Sequence, residues 1–124
     1  MAEGLVLKEQ RRLVRRELIY YLKVSLKSDG SELGRMGDIH TEGMLILTNE
    51  PLAPGQVYEV LLELPKTMQT EKITSLPLSL EVLWSRSGPP AATFLENGVR
   101  FLEIAEDQSN MLEMLSNYYA MPGG

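Results

Sequence analysis

Apolar and polar residues alternate in short stretches along most of this chain, a pattern typical of strands with one buried and one exposed face. The clearest stretch runs from Gln56 to Leu64, where Tyr58, Val60 and Leu62 share one face. Groups of Gly, Pro, Asp and Ser separate such stretches and indicate turns. Strands are predicted at residues 18–26, 33–39, 44–48, 56–64, 73–86 and 98–104.

The period changes near the C-terminus, where apolar residues recur at helical spacing between residues 107 and 119. Met111, Leu112, Leu115 and Tyr118 lie on one stripe of this predicted helix. Nothing between the strands is long enough to form the crossover helix that a parallel sheet requires. The chain is therefore predicted to be all-β, a six-stranded antiparallel β-barrel with a C-terminal α-helix packed against it.

For two residues of the fifth predicted strand, the sequence also predicts a position in the sheet. Pro77 has no backbone N–H to donate, so it is expected at a sheet edge or a bulge. Trp84 is expected in the core or at the barrel rim rather than as an exposed platform for stacking.

Composition limits the classes to which the chain can belong. With 124 residues, 44% of them hydrophobic and 23% charged, it is expected to form one globular domain. The lack of cysteine excludes disulfides and thiolate metal sites, and a lone histidine argues against a metal centre built on histidines. No apolar run reaches the roughly 18 residues of a membrane span, and no signal-peptide core precedes the first strand, so a cytoplasmic location is expected.

The net charge of −5 conceals an uneven distribution along the chain. Residues 1–40 carry eight Lys or Arg against six Asp or Glu, whereas residues 41–124 carry four against eleven. Residues 1–17 are interpreted as a basic N-terminal arm and residues 18–121 as the single barrel domain. The arginines of the arm are Arg11, Arg12, Arg15 and Arg16. One basic segment on an acidic protein disfavours general DNA or RNA binding but suits a small polyanion.

The second candidate segment is the turn from Gly37 to Gly43. Asp38, His40 and Gly43 suit a tight inter-strand turn whose backbone can lie close to a ligand, although Asp and Gly are also common in ordinary turns. Arginines of the arm could supply the other half of such a site, because guanidinium groups bind phosphates and the acceptor edge of guanine. A solvated arm with no ligand is the alternative interpretation.

Catalysis has little support in this sequence. There is no cysteine nucleophile, His40 has no Ser or Asp partner at a recognisable spacing, and the glutamates are scattered along exposed faces of strands. The glycines do not form a phosphate-binding loop between a strand and a helix. The protein is therefore predicted not to be an enzyme, with no metal and no cofactor.

The order of these features resembles the PilZ domain family. The resemblance runs from Lys8 to Tyr119 and includes an Arg-x-x-x-Arg arm, an Asp-x-polar-x-x-Gly turn, a Pro-Leu-x-Pro-Gly turn, a strand with a tryptophan, and Gly-Val-x-Phe-Leu before the last helix. It implies a six-stranded β-barrel that binds cyclic di-GMP, a bacterial second messenger. It also suggests a role in the control of motility, biofilm or exopolysaccharide.

The resemblance implies which residues would bind the ligand. Two registers satisfy the arginine motif, Arg11 with Arg15 and Arg12 with Arg16, and both stay open. Asp38, His40 and Gly43 occupy the turn motif. His40 stands where the family usually has serine, so its ring is expected either to take over the hydrogen bond of the hydroxyl or to crowd the guanine.

Two functions follow from this comparison with the family. The first is a signalling module that binds cyclic di-GMP, changes conformation and passes the signal to an unidentified downstream protein. The second is a degenerate PilZ-like interaction module that does not bind the nucleotide.

Overall fold

Stretches rich in strand-forming residues, separated by turn residues, fold into six antiparallel strands that close into a barrel. The computed structural model describes residues 21–88, 90 and 93–120, the side chains of residues 119 and 120 excepted. The strands are β1 (Lys23–Leu26), β2 (Glu32–Ile39), β3 (Gly43–Thr48), β4 (Val57–Glu63), β5 (Ser75–Ser87) and β6 (Leu95–Leu102), and a helix, α1 (Glu106–Ala120), follows them. Around the barrel the order is β1-β2-β3-β6-β5-β4, and β4 pairs again with β1. The predicted barrel with a C-terminal helix is confirmed.

The inner face of the strands forms one apolar core. On β4 the predicted face is correct, because Val60 and Leu62 are buried inside the barrel while their neighbours on the strand point outward. The core also includes Val24 of β1, Ile46 of β3 and Val82 of β5. Alternation along a strand therefore separates a filled interior from an outer face that is free to carry polar side chains.

The helix α1 contributes to the same core. Leu112 and Leu115 are fully buried in it, and α1 packs against β2 and β5. Gln108 fixes the start of the helix, since its side-chain oxygen accepts the N–H of Ala105 at 2.8 Å. Tyr118 is 41% exposed, so the buried stripe is narrower than the sequence predicted.

Strand limits differ from the prediction mainly at β6. This strand begins at Leu95, three residues before the predicted start, and ends at Leu102 rather than residue 104. Glu103 then adopts a positive φ of 48°, which breaks the extended backbone. The first predicted strand is described only from residue 21, and β1 begins at Lys23.

Pro77 lies at a sheet edge, as its missing N–H requires. It pairs with Leu61 on β4, but the pairing of β5 with β6 begins only at Ser79. The residues of β5 before Ser79 lie next to α1 instead of β6, and the carbonyl of Pro77 accepts a hydrogen bond from Gln108 Nε2 at 2.6 Å. The proline therefore interrupts no ladder.

The turn between β1 and β2 is held by a side chain. Asp29 Oδ1 accepts the backbone N–H of Ser31 at 2.9 Å and its hydroxyl at 2.7 Å. Both hydrogen bonds lower the pKa of Asp29 because they stabilise the charged carboxylate, and the bond from the backbone N–H has the larger effect.

A buried amide links β3, β6 and the segment that follows β3. Asn97 is fully buried, and its Nδ2 donates to the carbonyl of Ile46 and to the hydroxyl of Thr48, both at 2.9 Å. Its Oδ1 accepts the N–H of Leu52 at 3.3 Å. All the polar atoms of this side chain are thus satisfied inside the barrel wall.

Replacing Asn97 with alanine should lower the free energy of unfolding by about 2 kcal/mol, because the Leu52 N–H and the Thr48 hydroxyl lose partners in a buried setting. Urea unfolding followed by circular dichroism measures this change. The matched control is Asn110→Ala on the exposed side of α1, for which we expect a change within about 0.5 kcal/mol. Equal effects in the two variants would contradict the structural role of Asn97.

Candidate ligand-binding site

A bulge in β2 turns one acidic side chain out of the barrel. Met36 pairs with Ile46 on β3, whereas Asp38 pairs with Leu45, so Gly37 is the extra residue. In an unbroken strand Asp38 would follow Met36 into the interior, because every second side chain shares a face. With the bulge Asp38 is exposed on the outer face.

A second bulge in β5 does the same for the tryptophan. Val82 pairs with Val99 on β6 and Trp84 with Gly98, which makes Leu83 the extra residue. Alternation alone would place Trp84 in the core with Val82, but its side chain is 39% exposed. Of the two positions expected for Trp84, the core and the barrel rim, the core is wrong, because the bulge reverses the direction of its side chain.

The two bulges bring their side chains into one row across the sheet. Asp38 pairs with Leu45, Leu45 with Gly98, and Gly98 with Trp84, on four neighbouring strands. This row borders an open cleft of about 390 Å³ on the outer face. The lining residues are Asp38, His40, Glu42, Met44, Leu45, Leu83, Trp84, Arg86, Gly98, Val99 and Arg100. Such a volume lies within the range of small-molecule sites.

The indole of Trp84 forms the apolar wall of this outer-face cleft. It lies over Gly98, where any Cβ would overlap the ring, so only glycine leaves room for it. The guanidinium of Arg86 lies 4.6 Å from the centroid of the ring, a cation–π contact. A planar ligand can stack on this ring in the position that the Arg86 guanidinium now occupies.

Both arginines of the cleft are paired with glutamates of neighbouring strands. Arg100 Nη2 lies 2.6 Å from Glu81 Oε1, and Arg86 Nε lies 2.9 Å from Glu96 Oε1. Asp38 and Glu42 add further negative charge to the lining. The described part of the cleft is therefore not basic by itself.

The turn between β2 and β3 closes one side of the cleft. The N–H of His40 donates to the carbonyl of Gly43 at 3.0 Å, and His40 Nδ1 accepts the N–H of Glu42 at 3.2 Å. The carbonyl of Glu42 accepts the N–H of Phe101 at 2.9 Å, which ties the turn to β6. At Gly43 any Cβ would collide with the carbonyl of Val99.

Sequence reasoning located only part of this site. Asp38 and His40 line the cleft, whereas Gly43 is buried beside it, and its lack of a side chain serves the close approach of β6. The predicted arginines of the arm lie outside the described residues: Arg11, Arg12, Arg15 and Arg16. Sequence analysis missed Trp84, Arg86 and Arg100, because periodicity does not show which strands become neighbours.

Two further observations concern what else the described residues could hold. Among residues 21–88, 90 and 93–120, no three His, Asp or Glu side chains form a group that could bind a metal ion. The helix α1 is too short and too polar to cross a bilayer, and the described residues contain no other helix that could.

Comparison with models of protein families gives a match. A family model described as PilZ domain matches residues 9–118 of the chain. The matched range includes the residues of the cleft and also the four arginines of the N-terminal arm. A search of curated proteins finds no match.

Gly98→Ala should displace the Trp84 indole from β6, because the new methyl group would overlap the ring. Trp84 is the only tryptophan, so its emission spectrum reports the change directly. We expect altered emission and stronger quenching by acrylamide, with cooperative thermal unfolding retained. Gly37→Ala is the matched control, since the nearest atoms to its Cβ would be side-chain atoms of Leu47 at 3.1–3.3 Å, and it should leave the emission unchanged. An unaltered spectrum in Gly98→Ala would disprove this placement of the ring.

Proposed function

Because the chain belongs to the PilZ domain family, whose members are generally cyclic di-GMP receptors, we propose that this protein binds cyclic di-GMP in the outer-face cleft. In this proposal the bound ligand alters the surface of the protein, and a partner protein recognises the altered surface. PilZ domains are binding domains rather than catalytic ones.

The observation that carries the proposal is the meeting of Asp38, His40 and Trp84 in one cleft. A purine ring can stack on the exposed indole of Trp84, a contact worth about 1–3 kcal/mol. The Asp38 carboxylate is an acceptor for the N–H groups of a guanine edge, and such charge-assisted hydrogen bonds are the stronger kind. Stacking and edge recognition together favour a guanine nucleotide over a simple anion.

The phosphates of the ligand require positive charge. The described cleft has no unpaired cation to supply it. Arg86 and Arg100 are each engaged by a glutamate, and Asp38 and Glu42 would repel a phosphate. The four arginines of the N-terminal arm are the best source of the missing charge, because their planar guanidinium groups bind phosphate oxygens in pairs. The proposal therefore assigns the arm to the phosphates and the cleft to a base.

One observation favours the second candidate function, an interaction module without nucleotide. Both arginines of the described cleft are already neutralised by glutamates of the neighbouring strands. If the arm does not supply cations, the same outer face would serve for contact with another protein. A direct titration distinguishes the two candidates.

Calorimetric titration of the full chain with cyclic di-GMP should show binding, and replacing both Arg15 and Arg16 with alanine should weaken it about tenfold or more. The melting temperature should hardly change, because the basic sequence of the arm predicts solvated arginines, which contribute little to stability. Lys66→Ala with Lys72→Ala removes the same charge from elsewhere and should alter affinity less than about twofold. Absence of binding by the parent protein would favour the interaction module.

Trp84→Ala should lower the affinity for cyclic di-GMP about tenfold, since it removes the stacking surface. Val57→Ala is the control, because Val57 is 49% exposed on β4 and does not line the cleft. Equal affinity of the two variants would place the base away from Trp84.

A further inference from the structure

The His40 ring acts as a hydrogen-bond acceptor in the turn between β2 and β3. Its Nδ1 lies 3.2 Å from the backbone nitrogen of Glu42, and that N–H can donate only to a nitrogen with a free lone pair. A ring that accepts this bond must carry its proton on Nε2. Asp29 has the same role in the turn between β1 and β2, where its carboxylate accepts the N–H of Ser31, also two residues further on.

We propose that His40 is a positioning residue which holds the turn only while its ring is neutral, so that acidification releases the turn and weakens ligand binding. The part that concerns the ligand rests on the proposed function. A proton on Nδ1 converts the acceptor into a donor that faces the Glu42 N–H, and two donors cannot bond. The ring must then rotate away, which leaves the Glu42 N–H without its partner.

The charged groups near the cleft determine the new position of a protonated His40 ring. Two are carboxylates of the cleft lining, Asp38 on β2 and Glu42 in the turn. The others are two ion pairs between β5 and β6, Arg100 with Glu81 and Arg86 with Glu96. Asp38 and Glu42 attract an imidazolium, whereas the charges of the two arginines are largely balanced by their glutamates. A charged His40 would thus exchange its bond to the turn for contact with a carboxylate, and at Asp38 it would compete with the ligand.

The same turn residue is also linked to β6. Glu42 is held on both sides of its Cα, because its N–H donates to His40 Nδ1 and its carbonyl accepts the N–H of Phe101 at 2.9 Å. Loss of the first bond frees the Thr41–Glu42 peptide, while the Glu42–Gly43 peptide stays bound to β6. Arg100 lies next to Phe101 and lines the cleft, so this change in the turn takes place beside the cleft.

The first test needs no ligand. His40 is the only histidine in the chain, so nitrogen-15 NMR of the imidazole gives a single pair of ring signals. While the ring is neutral we expect its proton on Nε2, and once both nitrogens carry protons we expect a lower protection factor for the Glu42 amide, that is, faster exchange relative to the intrinsic rate at the same pH. The Ser31 amide is the internal control, and its protection factor should not change, because the pKa of Asp29 is lowered from 3.8. A proton on Nδ1 of the neutral ring would overturn the proposal.

The second test uses variants at His40. His40→Asn places an amide oxygen near the position of Nδ1 and does not titrate, while His40→Ala has no acceptor. Affinity of the parent for cyclic di-GMP should fall about fivefold between the pH at which the NMR signals show a neutral ring and the pH at which they show a charged one, the equivalent of one hydrogen bond. The Asn variant should bind equally at both pH values, and the Ala variant weakly at both.

Two results of the second test would overturn the proposal. Affinity of the parent that rises on acidification would mean that the imidazolium attracts the phosphates, and an equal fall in the Asn variant would mean that another group titrates. If the parent does not bind at all, the proposed function fails, and the NMR measurement alone then decides whether a neutral ring holds the turn.

Discussion

Closure of six antiparallel strands sends every second side chain of the described sheet into one shared core. That interior accepts apolar groups and fully satisfied amides such as Asn97, but it excludes charge. Chemistry of the protein is therefore confined to the outer face and the turns. A charged residue such as Asp38 can lie within a strand only where the alternation directs its side chain outward, or where a bulge does so.

The alternation of apolar and polar residues predicted the buried face of a strand correctly where no bulge interrupts the strand. On β4 the period of two runs unbroken, and the predicted inner face is the observed one. On β2 and β5 the strands change face at Gly37 and Leu83, and a single strand does not reveal where its register with a neighbour shifts. The one available signal was Leu83, a large apolar residue on the face that the preceding alternation makes exposed.

The sequence pointed to some residues of the cleft, for different reasons at each. Asp38 and His40 were identified from turn chemistry and family resemblance, and both line the cleft. Gly43 was assigned to the ligand by the same resemblance, and its lack of a side chain also allows the close approach of β6. Trp84 could not be placed, because its partner Gly98 lies 14 positions away in sequence and only the closed sheet brings the two together.

The closed barrel also limits how this protein can associate with others. A sheet with a free edge can recruit a partner by adding one of the partner's strands, in which main-chain hydrogen bonds supply most of the affinity. The six described strands have a neighbour on both sides except at the start of β5, where Pro77 contacts α1, so strand addition of this kind finds little free edge. Recognition by a partner must instead depend on the side chains of the outer face, the turns or α1. Evolution can alter these one residue at a time without disturbing the hydrogen bonds of the barrel.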